Sequence, residues 1–493
     1  MMITLKEVQK SLKSKKAAIL SKKIPCDLIT PVGSIIKLKK HFEDYHFLYE
    51  SVEKGSNKGR YSVIGLKPDL VFKSIENEVL INHDFEDDKD NFEKITDRNP
   101  LNILRELVKE SQIKDDSFLS SGLFGYMSYD MVRLMEDIGS GDLKDEINIP
   151  DSFFIRPQIL IIFDSLFDLA TICAPIYFKE GINAKLAYEN ANKNIEDVIE
   201  IISKKSDLLP KTEKKEYKFS FSASEKEYCK MVEKSKKYIK EGDIFQVLPS
   251  LRASADFSEE DSIAFYRSLR SINPSPFLFY LKFPDFSFIG SSPEIMVSLK
   301  DNKVTVRPLA GTRKRGKTLE EDQEIAQDLL SDKKELAEHL MLIDLGRHDV
   351  GRVCKANSIN VTEKMVIENY SHVMHIGSNV EGELKEGMDA IDALMSGFPA
   401  GTVSGAPKIR AMQIIEELES LKRSFYAGCV GYFSGNGDME TCITLRSALI
   451  KNGKIYLQAG AGVVYDSVPK LEYQECHNKL AALMTAVDQI YKY

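Results

Sequence analysis

A chain of 493 residues is long enough to bury a large core, and the length suits two or three domains. Its 43% hydrophobic and 29% charged content is that of an ordinary globular protein, and a net charge of −8 argues against general affinity for nucleic acid or anionic membranes. The seven cysteines have no metal-binding spacing and read as reduced thiols of a cytosolic protein; no apolar run reaches the ~18 residues of a spanning helix.

In chain order, "KSKKAAILSKK" near the N-terminus reads as a short charged helix or strand approach, not a leader. Short β-type runs follow, among them "RYSVIGL" and "PQILIIF". Between them, residues 82–98 read as an exposed acidic loop. Residues 203–217 read as a linker. It divides the β-rich N-terminal part, 1–215, from a C-terminal part, 216–493, that carries nearly all the chemical motifs.

Glu294, in the apolar run "FIGSSPEIMV", is a candidate general acid. Burial raises a carboxyl pKa from its usual ~4.3, and keeping it protonated at neutral pH takes about three units, or ~4 kcal/mol. The next run, "VRPLAGTRKRG" at 306–316, gathers four cations around Gly311 and Thr312, as if to hold an anion. It lacks phosphate-loop spacing, and Arg313, Lys314 and Arg315 read as a solvated rim. "SDKKELAEHLMLIDLGR" predicts a helix with Asp332 at its cap and Glu335 and Glu338 three apart on one face. His375, in the apolar run "YSHVMHIGSN", is the second acid–base candidate.

Residues 428–464 hold three β-type runs joined at Asn436-Gly437 and Asn452-Gly453, dipeptides that suit type I′ hairpin turns. In the middle run Cys442, Thr444, Arg446 and Ala448 share a face, so Arg446 is a rim residue or an anion ligand. "LQAGAGVVYDS" leaves a strand through Gly460 and Gly462, which permit close backbone approach to a ligand. The last predicted helix carries Glu472 and Glu475, again three apart, with Lys479 on the same face. Two Glu pairs could share a Mg²⁺ ion, although acidic pairs are usually solvated. Antiparallel strands with helices that do not alternate as βαβ units give an α+β class.

These motifs, in this order, resemble the chorismate-utilising enzymes and most closely the anthranilate synthase component I family. The resemblance spans the chain and is densest through "DIFQVLPS", "NPSPFLFYL", "GSSPE", "RPLAGTRKRG", "KELAEHLMLIDLGRHDVGR", "GTVSGAPKIRAM", "CVGYFSGNGDMETCITLRSA", "QAGAGVVYDSVP" and "EYQECHNKL". It implies a large two-sheet antiparallel β-sandwich with helices packed outside. By resemblance, Glu338 and Glu475 bind Mg²⁺ directly and Glu335 and Glu472 support it through water. Arg446, Tyr426 and the Gly460-Ala461-Gly462 backbone hold the enolpyruvyl carboxylate of chorismate, Gly311 and Thr312 line the pocket, and Lys479 adds positive charge. Glu294 protonates the departing hydroxyl, His375 assists the elimination, and Thr402 lies close to the ring.

Three positions discriminate among such enzymes. Water-adding members carry a lysine base where this chain has Gln246, and ammonia needs no such base. Members that aminate C4 carry a nucleophilic lysine where this chain has Ala310, and usually Ser where it has Thr402. All three favour amination at C2, loss of pyruvate and an anthranilate product. The alternatives are an aminodeoxychorismate synthase component I or a homologue that stops at the amino-dihydro intermediate. No glutaminase nucleophile motif is present, so ammonia is expected from a separate glutamine amidotransferase subunit. "FLYESVEKGSNKGRYSVIG" resembles the family's tryptophan-binding element, with Glu50 and Ser51 in it and Pro276, Phe277 and Leu278 closing the pocket; Tyr49 stands where leucine is usual. A cytoplasmic, feedback-inhibited enzyme is the expectation.

Overall fold

The computed structural model describes residues 3–51, 59–113, 119–205, 212–370 and 373–493. Two long strands, Tyr61–Ile75 and Ser152–Asp164, pair with each other along their whole length and run through both layers of a sandwich. The Ser62–Gly65 end of the first continues into one layer through His46–Glu50, while its Val71–Ile75 end pairs with Glu78–Asn82 in the other. Ser152–Asp164 divides likewise, between Leu169–Ile176 at one end and Gly122–Met127 at the other. Twenty-one strands therefore form one antiparallel network among the described residues, folded into the two layers expected.

The first layer runs through His46–Glu50, Phe277–Lys282, Phe286–Ser292, Ser447–Lys451, Lys454–Gly460 and Ser250–Asp256. The second runs through Gly122–Met127, Cys429–Ser434, Met439–Ile443, Ile295–Lys300, Lys303–Val306 and Val373–Glu383. Pairing of His46–Glu50 with Phe277–Lys282, and of Gly122–Met127 with Cys429–Ser434, crosses the 215/216 boundary.

Alternation along each strand separates two cores. Phe47, Phe279, Phe288 and Leu449 face the interior between the layers; Leu48, Leu278, Ile289 and Ala448 face the helices outside. Across the interior Phe47 stacks on Phe124 with ring centroids 4.7 Å apart, and the edge of Tyr126 meets Phe288 at 5.5 Å. Leu480, Leu483 and Val487 of the last helix, Pro469–Asp488, bury against the outer face.

Residues 82–98 are exposed for most of their length, but Phe85 enters the core and Glu93–Ile95 adds an edge strand, so the stretch is not wholly a loop. Of the 203–217 stretch, residues 206–211 lie outside the described residues, as do 52–58 of the tryptophan-type element. Among the described residues no helix is long and apolar enough to cross a membrane.

Candidate active site

Two neighbouring chain segments change layer at the same place. Phe286–Ser292 pairs with Ser447–Lys451 in the first layer; past Pro293-Glu294 the chain continues as Ile295–Lys300, paired with Met439–Ile443 in the second. The run expected as one middle strand is thus two strands in two layers, with Thr444–Arg446 as its crossing. The sequence shows no break in its apolar pattern there, yet the face changes: Cys442 lines the interlayer cavity and Ala448, of the same parity, faces the helices outside. The Ile443 amide donates to the Glu294 carbonyl at 3.0 Å and ties the two crossings together.

Glu294 therefore lies between two strands. Its carboxyl is buried, accepts a hydrogen bond from Thr402 Oγ1 at 2.9 Å, and is pushed up to about 8. Desolvation is the main cause; bonds from Thr402 and the Leu309 backbone and the charge of Arg446 act the other way. Thr402 arrives on the short helix Gly401–Ser404. Arg446 has φ +47°, a conformation costing an L-residue roughly 1–2 kcal/mol, and its half-buried guanidinium makes no hydrogen bond or ion pair among the described residues. A strained, unpaired cation beside a protonated acid is chemically suited to seat an anion.

His375 lies on Val373–Glu383, opposite Thr312 of Leu309–Lys314. The register slips between Ala310 and Thr312 because Gly311 forms a bulge at φ +66°. The Gly311 carbonyl lies 3.0 Å from His375 Nδ1 and Thr312 Oγ1 lies 3.1 Å from it. A carbonyl only accepts, so Nδ1 carries the proton and Nε2 keeps its lone pair. Burial, helped by Arg446, lowers the imidazole to about 4, so it is neutral at pH 7.

Gln246 and the glycine segment meet the acidic helices. Gln246 Nε2 donates to Glu338 Oε1 at 2.7 Å, and a Cβ on Gly462 would fall 2.9 Å from the same nitrogen. A Cβ on Gly460 would fall 2.9 Å from the Pro249 carbonyl and 3.1 Å from the Tyr426 hydroxyl, so space, not φ, demands glycine at 460, whereas at 462 a side chain would displace the Gln246 amide. Lys479 Nζ donates to the Gly460 carbonyl and pairs with Glu475 Oε1, each at 2.8 Å. Ala461 is fully buried, its amide 3.3 Å from the Pro249 carbonyl.

Helix Lys333–Val353 begins at its Asp332 cap, as expected, and carries Glu335 and Glu338. Desolvation raises the Glu338 carboxyl, with Glu335 and Glu475 adding like charge; desolvation and Glu475 raise Glu472. Glu338 thus feels the charge of Glu475 on the other helix, and these hard oxygen donors are of the type Mg²⁺ takes, although they are not gathered around one point. Among the described residues no three acidic, His or Cys side chains are gathered tightly enough to hold a metal. Glu338, Glu475 and Glu335 are held instead by Gln246, Lys479 and Arg313, the last at 3.3 Å.

Of the cations read as a solvated rim, Lys314 is exposed as expected, but Arg313 and Arg315 are not free. Arg313 pairs with Asp328, Asp332 and Glu335, and Arg315 with Asp322, all carboxylates of the following helices. Arg307 pairs with Glu363 and Glu368. Glu368 and Tyr370, beside His375, escaped the sequence reading; the one signal was a Glu and a Tyr two apart directly ahead of it.

A cavity of about 710 Å³ lies between the layers, lined by Glu50, Ser51, Pro276, Phe277, Leu278 and Tyr49 among others. The Glu50 carboxylate is buried and accepts from Tyr266 (2.5 Å) and Arg270 (2.9 Å). Tyr49 reaches carbonyls of both Gly125 and Gly431, at 3.3 and 3.2 Å.

Residues 45–485 match the family model described as chorismate binding enzyme. The chain is 46% identical to anthranilate synthase component 1 of Cereibacter sphaeroides, covering 99% of this chain and 98% of that one. It is 42% identical to the protein of that name from Aquifex aeolicus, at 99% and 98% coverage. Its fold matches anthranilate synthase component I from Streptococcus pneumoniae TIGR4 with a TM-score of 0.75 at 35% identity, over 94% of this chain and 99% of that one. The isochorismate synthase MenF of Escherichia coli, at 20% identity and a TM-score of 0.71 over 98% of each chain, shares the fold. The chain belongs to the chorismate binding enzymes and, within them, to the anthranilate synthase component I family.

Proposed function

We propose that the chain aminates chorismate at C2 with ammonia and eliminates pyruvate to give anthranilate, the entry to tryptophan biosynthesis. The observation that carries this reading is that buried Glu294, bonded by Thr402, and buried His375, bonded to the Gly311 carbonyl, both lie within electrostatic reach of an unpaired Arg446. Glu294, held by Thr402, gives its proton to the departing C4 hydroxyl as ammonia bonds to C2. The bare Nε2 of His375 then takes the C2 proton as the C3–O bond breaks; enolpyruvate leaves and takes up a proton to become pyruvate, and the ring becomes aromatic.

Arg446, Tyr426 and the Gly460-Ala461-Gly462 backbone suit the enolpyruvyl carboxylate, with Gly311 and Thr312 along the ring. Mg²⁺ would be held by Glu338 and Glu475, with Glu335 and Glu472 behind them, and when bound supplies positive charge to the ring carboxylate. Gln246 bears no basic group, which suits ammonia over water as nucleophile. The component name carried by the relatives supports a second subunit, a glutamine amidotransferase that delivers ammonia.

The interlayer cavity supports L-tryptophan as inhibitor, its ammonium beside Glu50 and its ring among Pro276, Phe277 and Leu278. Residues 1–215 would then carry the regulatory element and 216–493 the chemistry, in a cytoplasmic enzyme. Purified alone, the chain should form anthranilate from chorismate with ammonium and not with glutamine. Efficient unaided use of glutamine contradicts the two-subunit part, and turnover indifferent to tryptophan contradicts the regulatory part.

A further inference from the structure

Arg307, Glu368 and Tyr370 form one wall with two working sides. Arg307 donates to Glu368 Oε1 from Nε (3.0 Å) and Nη2 (2.7 Å), and the Tyr370 hydroxyl donates to Oε2 at 2.9 Å. Both carboxylate oxygens are thus engaged, and a Cβ on Gly377 would fall 2.0 Å from Oε1, so that glycine is the seat of the carboxylate. On one side all three residues line the interlayer cavity that also holds Glu50 and Phe277.

The other side touches the reacting groups. Glu368 is the ladder partner of His375, and the Tyr370 ring stands edge-on to the imidazole with centroids 5.4 Å apart. Two residues after Arg307, the Leu309 backbone bonds Glu294. The Glu368 charge acts on both Glu294 and His375, while Tyr370 acts on Arg446. These hydrogen bonds link the three, so displacing one shifts the others.

We propose that Arg307, Glu368 and Tyr370 are positioning residues for Glu294 and His375, and that a ligand in the interlayer cavity slows the reaction by displacing this shared wall. The second half rests on the reading of that cavity as the tryptophan site. The wall supplies what inhibition at a separate site needs, namely an element that both sites bias.

The test uses Glu368→Gln, which keeps shape and removes charge, and Tyr370→Phe, which keeps the ring and removes the hydroxyl. Chorismate and ammonium kinetics are measured across pH, with tryptophan followed both as inhibitor and by calorimetric binding. Glu294 faces Thr402, Arg446 and Glu368, and His375 faces Arg446, Lys479 and Glu368. Removing the Glu368 charge makes Glu294 easier to ionise, so Glu368→Gln should move the alkaline limb of kcat to lower pH. It should also lower kcat by about 10- to 100-fold, the effect of a misplaced reacting group, with KM for chorismate little changed.

Tyr370→Phe should bind tryptophan nearly as wild type yet weaken inhibition by about tenfold, a normal coupling. Arg307→Lys should recover part of what Arg307→Met loses. Wild-type kcat, pH limb and inhibition in both Glu368→Gln and Tyr370→Phe overturn the proposal. Tryptophan that fails to bind the wild-type chain overturns the regulatory reading and the ligand half, while kcat and the alkaline limb still decide the positioning half.

Discussion

Thr402 donates its hydroxyl hydrogen bond to Glu294 Oε1 at 2.9 Å, across 108 positions of sequence, from a short helix to the crossing between two strands. The bond holds the carboxyl where burial keeps it protonated to about pH 8. A free carboxyl titrates near 4.5, so the fold favours the neutral form. The stability this contributes is intact below the free value and is lost as pH rises through about 8.

Turnover should accordingly fall on the alkaline side with an apparent pKa near 8 in kcat/KM. Glu294→Gln should abolish that limb and lower turnover by about 10²- to 10⁴-fold, the usual contribution of a positioned acid. Its melting temperature should fall less than that of wild type as pH is raised from neutral to alkaline. A wild-type alkaline limb in the variant would assign the limb to another group.

His375→Asn can still donate to the Gly311 carbonyl but lacks the lone pair of Nε2. Amination should survive and aromatisation should slow, so an unaromatised amine should accumulate and be seen by mass. Normal anthranilate release at wild-type rate would remove His375 from the elimination.

The chemistry was more legible in the sequence than the geometry that assembles it. Helical spacing sets Glu335 with Glu338 and Glu472 with Glu475 on one face each, and apolar neighbours single out Glu294, but spacing left the acidic pairs as ordinary solvated charge and only the resemblance gave them a role. The Asn452-Gly453 turn has both residues left-handed, as that dipeptide predicts; at Asn436-Gly437 only the glycine is, and a Ser434–Asp438 bond closes a longer turn. The layer crossing at Thr444–Arg446 was hidden because the apolar pattern of the sequence shows no break there. Pairing of Arg313 and Arg315 with helix acids was hidden for a different reason: charge patterns read as solvated until a tertiary partner is known.

Lys408 Nζ reaches both oxygens of buried Asp349, at 2.8 and 2.9 Å, and Asp349 lines a small cavity with Glu294 and Thr402. Lys408→Met strands that carboxylate and should cost about 3–5 kcal/mol of stability. Adding Asp349→Asn should recover part of the loss in denaturant melts; no recovery would show that the pair is not the source.

Ala310 pairs with Ile376 immediately before the Gly311 bulge, one residue from the pocket wall. Ala310→Lys places an amine there and should perturb amination at C2, read as a lower anthranilate yield or a shift of product. Unchanged anthranilate production would mean that this position does not govern where the ring is attacked.

The central claim is tested most directly by the product itself. The purified chain is given chorismate, isotope-labelled ammonium and Mg²⁺, and the products are followed by fluorescence and mass. Anthranilate carrying the label, with an equal amount of pyruvate, is the result expected; a 4-amino product, an unaromatised amine as the end point, or no turnover contradicts the account.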